Sequence, residues 1–197
     1  MNFLSFLNRG PKPITPQLVQ NLWVYMQKVY NTSIINKSDS TMMVVVGVIL
    51  DKMGIQDKAT FMSKYSTTIG HSIYIPFTIG VPTPDWSLLS QIIVCLHEHQ
   101  HIVQSTSEGE FSYNFNYMLK PDMRARYETE AYRSTLELSW YYNKTIPDLH
   151  AVASTLLNYG LTADHVSVAE VALMSAARMV KSGLILNQAT KTGLSIL

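Results

Sequence analysis

The sequence predicts an α+β domain that is mostly helical and carries one small sheet. Apolar residues recur at helical spacing, with recognisable caps, over most of the chain after residue 15. Strand-forming residues gather in one short region, Phe61 to Phe77, around Gly70. A long apolar segment directly after that region contains His97, Glu98 and His101. With 197 residues the chain is long enough to bury one sizeable core.

Residues 1–14 read as an N-terminal arm, closed by the structure-breaking Gly10-Pro11-Lys12-Pro13, and 15–197 as one domain. Thr15-Pro16 has the form of an N-cap and first helical position, and Leu18, Leu22, Trp23, Met26, Val29 and Tyr30 give 16–31 an amphipathic period. A polar loop from Asn31 to Asp39 follows. Ser40 or Thr41 caps a second helix through Met53, stopped at Gly54, although the β-branched Val44-Val45-Val46 also suits a strand. A hairpin is expected next, with strands at 60–68 and 72–77 and a turn at Ile69-Gly70-His71. Pro76 lacks an N–H, which suggests that the second strand lies at a sheet edge or ends there.

Asp85 is the expected cap of a helix over 86–105, ended by Ser107-Glu108-Gly109. Phe111, Tyr113, Phe115 and Tyr117 alternate with polar residues and suit either a short strand or the aromatic side of a helical turn. Pro121 opens a helix expected to run to 143, Ile146-Pro147-Asp148 starts another that reaches Tyr159-Gly160, and Thr162 caps a last one through Lys181, closed by Gly183. Residues 184–197 are weakly patterned.

The helix at 86–105 carries the chemistry. His97, Glu98 and His101 spell H-E-x-x-H. Residues four apart share a helix face, so two imidazoles can hold one metal ion, and Glu98, about 100° round the helix, can reach a water bound to it. Ile92, Cys95, Leu96 and Val103 cover one face, while Ile93 and Val94 fall on the histidine side. A helix apolar nearly all round is buried, and burying imidazoles and a carboxylate is costly unless they are paired or bind metal.

A catalytic zinc site needs a third protein ligand and an open position. The candidates are Glu128 and Glu130. On a helical wheel Glu130 falls with Arg126, Arg133 and Glu137 in alternating sign, as on a solvated stripe. Glu128 falls on the other flank, near Tyr132, Thr135 and Ser139, with Arg124 as its local charge partner. The wheel favours Glu128 and keeps Glu130 as the alternative.

At this point the sequence resembles the gluzincins, zinc metallopeptidases in which H-E-x-x-H is followed on a later helix by a glutamate ligand. The run Glu128-Thr129-Glu130-Ala131-Tyr132 is similar to the E-x-E-A-(N/D) segment of ImmA/IrrE-type metallopeptidases, and 26 residues separate it from His101. The likeness covers about 60–135 and departs from the pattern at Tyr132, where an Asp or Asn often supports a zinc-bound histidine. It implies a zincin-like fold, a Zn2+ cofactor, His97, His101 and Glu128 as ligands, and hydrolysis of a peptide or protein substrate with Glu98 as general base. The expected docking edge for that substrate is Ser72, Ile73, Tyr74 and Ile75, in the last strand before the motif helix. The reading from a different class is a non-catalytic structural or binding protein of a larger assembly that keeps the fold.

Composition restricts the partners. Lys and Arg total 15 and Asp and Glu 14, so no basic excess points to nucleic acid. The single cysteine, Cys95, reads as core filler and permits no internal disulfide. The first residues lack a basic start and a long apolar stretch, and the longest apolar run, Met42 to Leu50, is too short for a membrane span; a cytoplasmic location and no membrane partner are expected. His99 reads as a core histidine and His71 as an exposed one. Tyr127, Tyr132, His150 and His165 are the candidates to stabilise an oxyanion.

Overall fold

The computed structural model describes residues 10–52 and 57–197. Most of the expected N-terminal arm and the end of the second helix at Met53-Gly54 lie outside the described residues. Helix α1 spans Pro16–Tyr30; the Thr15 hydroxyl accepts from the Leu18 N–H, and Asn31 ends the helix with φ 50°. Its buried side chains, Leu18, Val19, Leu22, Trp23 and Met26, belong to the main core.

The expected loop after α1 contains a strand, β1 (Ser33–Asn36), and a 3-10 turn (Lys37–Asp39). Helix α2 (Thr41–Lys52) resolves the ambiguity of the valine run in favour of helix: Met43 and Gly47, four apart, are its buried residues. The first strand of the expected hairpin is mostly replaced by a short helix, α3 (Lys58–Lys64), because Asp57 caps it through the Thr60 N–H. What remains is β2 (Thr67–Ile69), turned at Gly70 into β3 (Ser72–Ile75).

The sheet order is β1-β3-β2. β1 runs parallel to β3, with Ile34 opposite Ile73, and β2 runs antiparallel, with Thr68 opposite Ile73. This overturns the expected docking edge. Ser72, Ile73, Tyr74 and Ile75 form the central strand, with both edges paired and the last three side chains buried. Pro76 lies just beyond Ile75, where the missing N–H breaks no ladder bond.

Helix α4 (Leu88–Glu108) begins two residues later than expected, because Ser87 and not Asp85 is its cap; Asp85 instead pairs with Lys64. Gly109, at φ 84°, lets the chain reverse into α5 (Glu110–Leu119) without the steric penalty an L side chain would meet. The aromatic alternation is therefore helical. The expected single helix over 121–143 is two, α6 (Pro121–Ala131) and α7 (Arg133–Asn143), interrupted at Tyr132. Helix α8 (Leu149–Ser154), a 3-10 turn (Thr155–Tyr159) and α9 (Ala163–Lys181) form a second core around Leu136, Leu156, Val166 and Leu173.

The weakly patterned tail folds as well. Helix α10 (Gln188–Gly193) lies against the back of α4, and a Cβ on Gly193 would stand 2.5 Å from Leu96 Cδ2. The main core thus surrounds α4 with α1, β3 and α10, burying Trp23, Ile73, Ile92, Leu96, Leu138 and Leu194. Among the described residues no helix is long and apolar enough to cross a membrane.

Candidate metal centre

Helix α4 and helix α6 bring His97, His101 and Glu128 together in the interior, at 7, 6 and 1 % exposure. His97 Nε2 and His101 Nε2 are 3.2 Å apart, His97 Nε2 is 3.4 Å from Glu128 Oε2, and His101 Nε2 is 3.5 Å from Glu128 Oε1. Four bonds of about 2.0–2.1 Å at tetrahedral angles place ligand atoms roughly 3.3–3.4 Å apart. The His97–His101 and His97–Oε2 separations match that spacing, while His101 faces the other carboxylate oxygen, so the two oxygens of Glu128 straddle the imidazole pair. Glu128 Oε2 is buried with no hydrogen-bond partner, which is costly for a carboxylate unless a cation fills the place. The donor set fits a metal ion of that coordination.

The neighbouring network sets the imidazole tautomer. Gln104 Nε2 donates to the Tyr127 carbonyl at 3.0 Å and to Glu130 Oε2 at 3.2 Å, which fixes the orientation of its amide. Its Oε1, 2.9 Å from His101 Nδ1, can only accept. The proton of neutral His101 is therefore on Nδ1, and Nε2 presents its lone pair to the cluster. Burial disfavours the charged form of His101, but the adjacent Glu128 carboxylate outweighs it and raises the pKa to about 9. Burial likewise favours the neutral acid of Glu128, yet His101 and His97 beside it hold its pKa well below the usual carboxylate range.

Glu98 lies at the same helix turn, 6 % exposed, and its Oε2 accepts from the Thr68 hydroxyl of β2 at 2.6 Å. Lys37 is fully buried; its ammonium donates to the Phe61 carbonyl at 3.0 Å and lies 3.6 Å above the Phe61 ring. Burial lowers its pKa to about 7, against the opposing pull of the Glu98 carboxylate.

A collar of tyrosines encloses the cluster. The Tyr117 hydroxyl donates to Glu128 Oε1 at 2.5 Å, and the Tyr113 hydroxyl is 3.0 Å from His101 Nδ1. The Tyr132 ring stands edge-on to His97, 4.8 Å between centroids, and its hydroxyl is 3.3 Å from that of Tyr159. Of the four oxyanion candidates, Tyr132 is the one in ring contact with a cluster histidine. Tyr127 gives its hydroxyl to Glu108, His150 pairs with Glu170 on the surface, and His165 pairs with Asp122 beside the α9 cap.

Glu130 sits where the wheel placed it, paired with Arg126 at 3.2 Å on the outer side of α6. Arg124 is not the partner of Glu128. Its Nη1 donates to the carbonyls of Tyr117 and Met118 at 2.9 and 3.3 Å. Glu137, expected on the solvated stripe, is 1 % exposed and accepts from the Leu186 and Asn187 N–H groups at 2.5 and 2.9 Å. Asn187 in turn donates through Nδ2 to the Glu130 carbonyl at 2.9 Å, and Gln100 Oε1 accepts from the Ala189 N–H at 3.1 Å. The tail thereby ties the motif helix to the glutamate helix.

Cys95 and His99 are buried on the opposite side of α4, in the main core. His99 is satisfied by the Cys95 carbonyl at 2.7 Å and Thr32 Oγ1 at 3.0 Å, as a core histidine should be. Sequence reading missed Gln104, Tyr113, Tyr117, Thr68 and Asn187 as parts of the site. Gln104 alone gave a signal, being one turn beyond His101 on the same face. No family model, no curated protein and no solved structure matches this chain.

Proposed function

We propose that the protein is a zinc-dependent endopeptidase with a zincin-like fold, in which His97, His101 and Glu128 hold the ion and Glu98 is the general base. The observation that carries this reading is the buried cluster of potential ligands with Glu98 next to it on the helix: two imidazoles, a carboxylate with an orphaned oxygen, and an adjacent base. Two imidazoles and a carboxylate are a donor set well suited to zinc. When bound, zinc polarises the scissile carbonyl and brings the pKa of water toward neutrality.

The chain supplies the rest. Thr68 occupies Glu98 Oε2 and orients the carboxylate, so the other oxygen takes the proton of the attacking water and passes it to the leaving amine. An extended substrate pairs with the outer edge of β2, Thr67–Ile69, which is an edge strand and touches Glu98 through Thr68. The alternative, a structural ion in a non-catalytic protein, calls for four protein ligands. The described residues bring three together, and Cys95 and His99 face the opposite core.

The test is metal analysis combined with hydrolysis of a peptide library by the native protein and by Glu98→Gln. The variant is expected to keep its zinc and lose at least about two orders of magnitude in rate. Hydrolysis unchanged in Glu98→Gln removes Glu98 from the mechanism; a zinc-free native protein whose zinc affinity equals that of His97→Ala removes the metal centre.

A further inference from the structure

Resting on that metal centre, we propose that Tyr117 is a positioning residue: it occupies one oxygen of Glu128 and reserves the other for the ion. The two oxygens of this carboxylate have different surroundings. Each lies close to one imidazole, Oε1 3.5 Å from His101 Nε2 and Oε2 3.4 Å from His97 Nε2, but Oε1 accepts the Tyr117 O–H at 2.5 Å, while Oε2 is buried and has no hydrogen-bond partner. A carboxylate free to turn can chelate an ion with both oxygens. One whose Oε1 is engaged by a phenol presents a single oxygen, which keeps the coordination number low and one position open for water or substrate.

Tyr117 is itself held in place. The Gly109 reversal sends α5 back across the site, and Arg124 on α6 grips the last turn of α5 by the carbonyls of Tyr117 and Met118. The Tyr117 ring stacks on Tyr127 with an interplanar angle of 7° and leans on Tyr113, 5.9 Å away. Tyr127 and Glu128 are adjacent on α6, so one helix supplies both the ring that supports Tyr117 and the carboxylate that it bonds. Tyr132, at the place where the resembling family often has an acid, makes a ring contact to His97 instead. The support of the ligands thus comes from neutral groups, Gln104 on His101 and Tyr117 on Glu128.

The experiment compares wild type with Tyr117→Phe by zinc competition against a chromophoric chelator and by the visible spectrum of the cobalt-substituted protein. The variant is expected to bind zinc about tenfold more weakly. Its cobalt absorption should also lose intensity, as the released Oε1 joins the ion and raises the coordination number. Binding within about twofold and an unchanged cobalt spectrum overturn the assignment. A wild type that takes up neither metal overturns the metal centre itself, and this is seen before any variant is compared. If Tyr117→Phe does not fold, the infrared carboxylate bands of the wild type decide the question, assigned by difference against Glu128→Gln. On zinc binding, the wide splitting of one-oxygen ligation supports the role of Tyr117, and the narrow splitting of two-oxygen ligation overturns it.

Discussion

Replacing His99 by glutamine tests the assignment of the two faces of α4. His99 is fully buried between Trp23 and Tyr30; its Nδ1–H donates to the Cys95 carbonyl, and its Nε2 accepts from Thr32. That arrangement satisfies the neutral ring and leaves no place for a second proton. Burial lowers its pKa to about 4, only partly opposed by the bond to Cys95. In the unfolded chain the value returns to roughly 6.5. Between these values the unfolded state binds more protons, so this contribution to stability is complete above about pH 6.5 and is lost as the pH falls toward 4. A difference of about 2.5 pKa units corresponds to about 3 kcal/mol. The assay is denaturant unfolding of wild type and His99→Gln at pH 7, 5.5 and 4. The variant is less stable at pH 7, but wild type should lose about 3 kcal/mol more than the variant between pH 7 and pH 4. Parallel losses in the two proteins would refute the placement of a neutral His99 in the core.

The remaining predictions concern the ligand set and the tail. Glu128→Gln should weaken zinc binding at least about tenfold, whereas Glu130→Gln, whose carboxylate pairs with Arg126 and reaches the cluster only through Gln104, should weaken it much less; the reverse order, read by zinc competition, assigns the ligand to Glu130. Gly193→Ala places a methyl 2.5 Å from Leu96 Cδ2 and 3.4 Å from Leu22 Cδ1. Because both leucines are fully buried and have little room to move, the substitution should cost about 1–3 kcal/mol. An unchanged unfolding midpoint for Gly193→Ala would show that α10 does not press on the motif helix.

The parts of the fold legible in the sequence are those that depend on a single unbroken helix. His97 and His101 could be paired because α4 is continuous, and Glu128 could be separated from Glu130 because α6 stays regular through Ala131. Beyond Tyr132 the packed face continues as the wheel places it, with Ser134 and Leu138 buried, but the C-terminal tail covers a flank that the wheel left to solvent. Glu137 is buried because Leu186 and Asn187 of the tail donate to its carboxylate, a contact with a distant part of the chain that a wheel does not contain. The alternating aromatics could not decide between strand and helix, since Tyr113 and Tyr117 share a helix face four residues apart as readily as they share a strand face. β1 was invisible because four residues, Ser33–Asn36, acquire strand character only by parallel pairing with β3, a contact between distant parts of the chain. Of the two readings of Pro76, the strand ends there, at Ile75, and is not an edge strand, because a proline at the end of a strand says nothing about how many neighbours the strand has.

The close packing of Glu128 between two imidazoles would also make an ion bound there exchange with a proton. Without metal, His101 has a pKa of about 9 and holds a proton at neutral pH, a small cation in the place of a larger one. A divalent ion held by His101 would have to evict that proton, so its binding would compete with acid. Apparent affinity should climb as the pH rises from 6 and level off near 9, because above that value there is no proton left to displace. At pH 7 about one proton should leave for each ion bound. Calorimetric titration in buffers of different ionisation enthalpy counts it, and a binding heat independent of the buffer would mean that His101 is already bare. The same exchange would set the fate of a metal-loaded chain in a chelator: His101 would take up a proton beside the Glu128 carboxylate as the ion left.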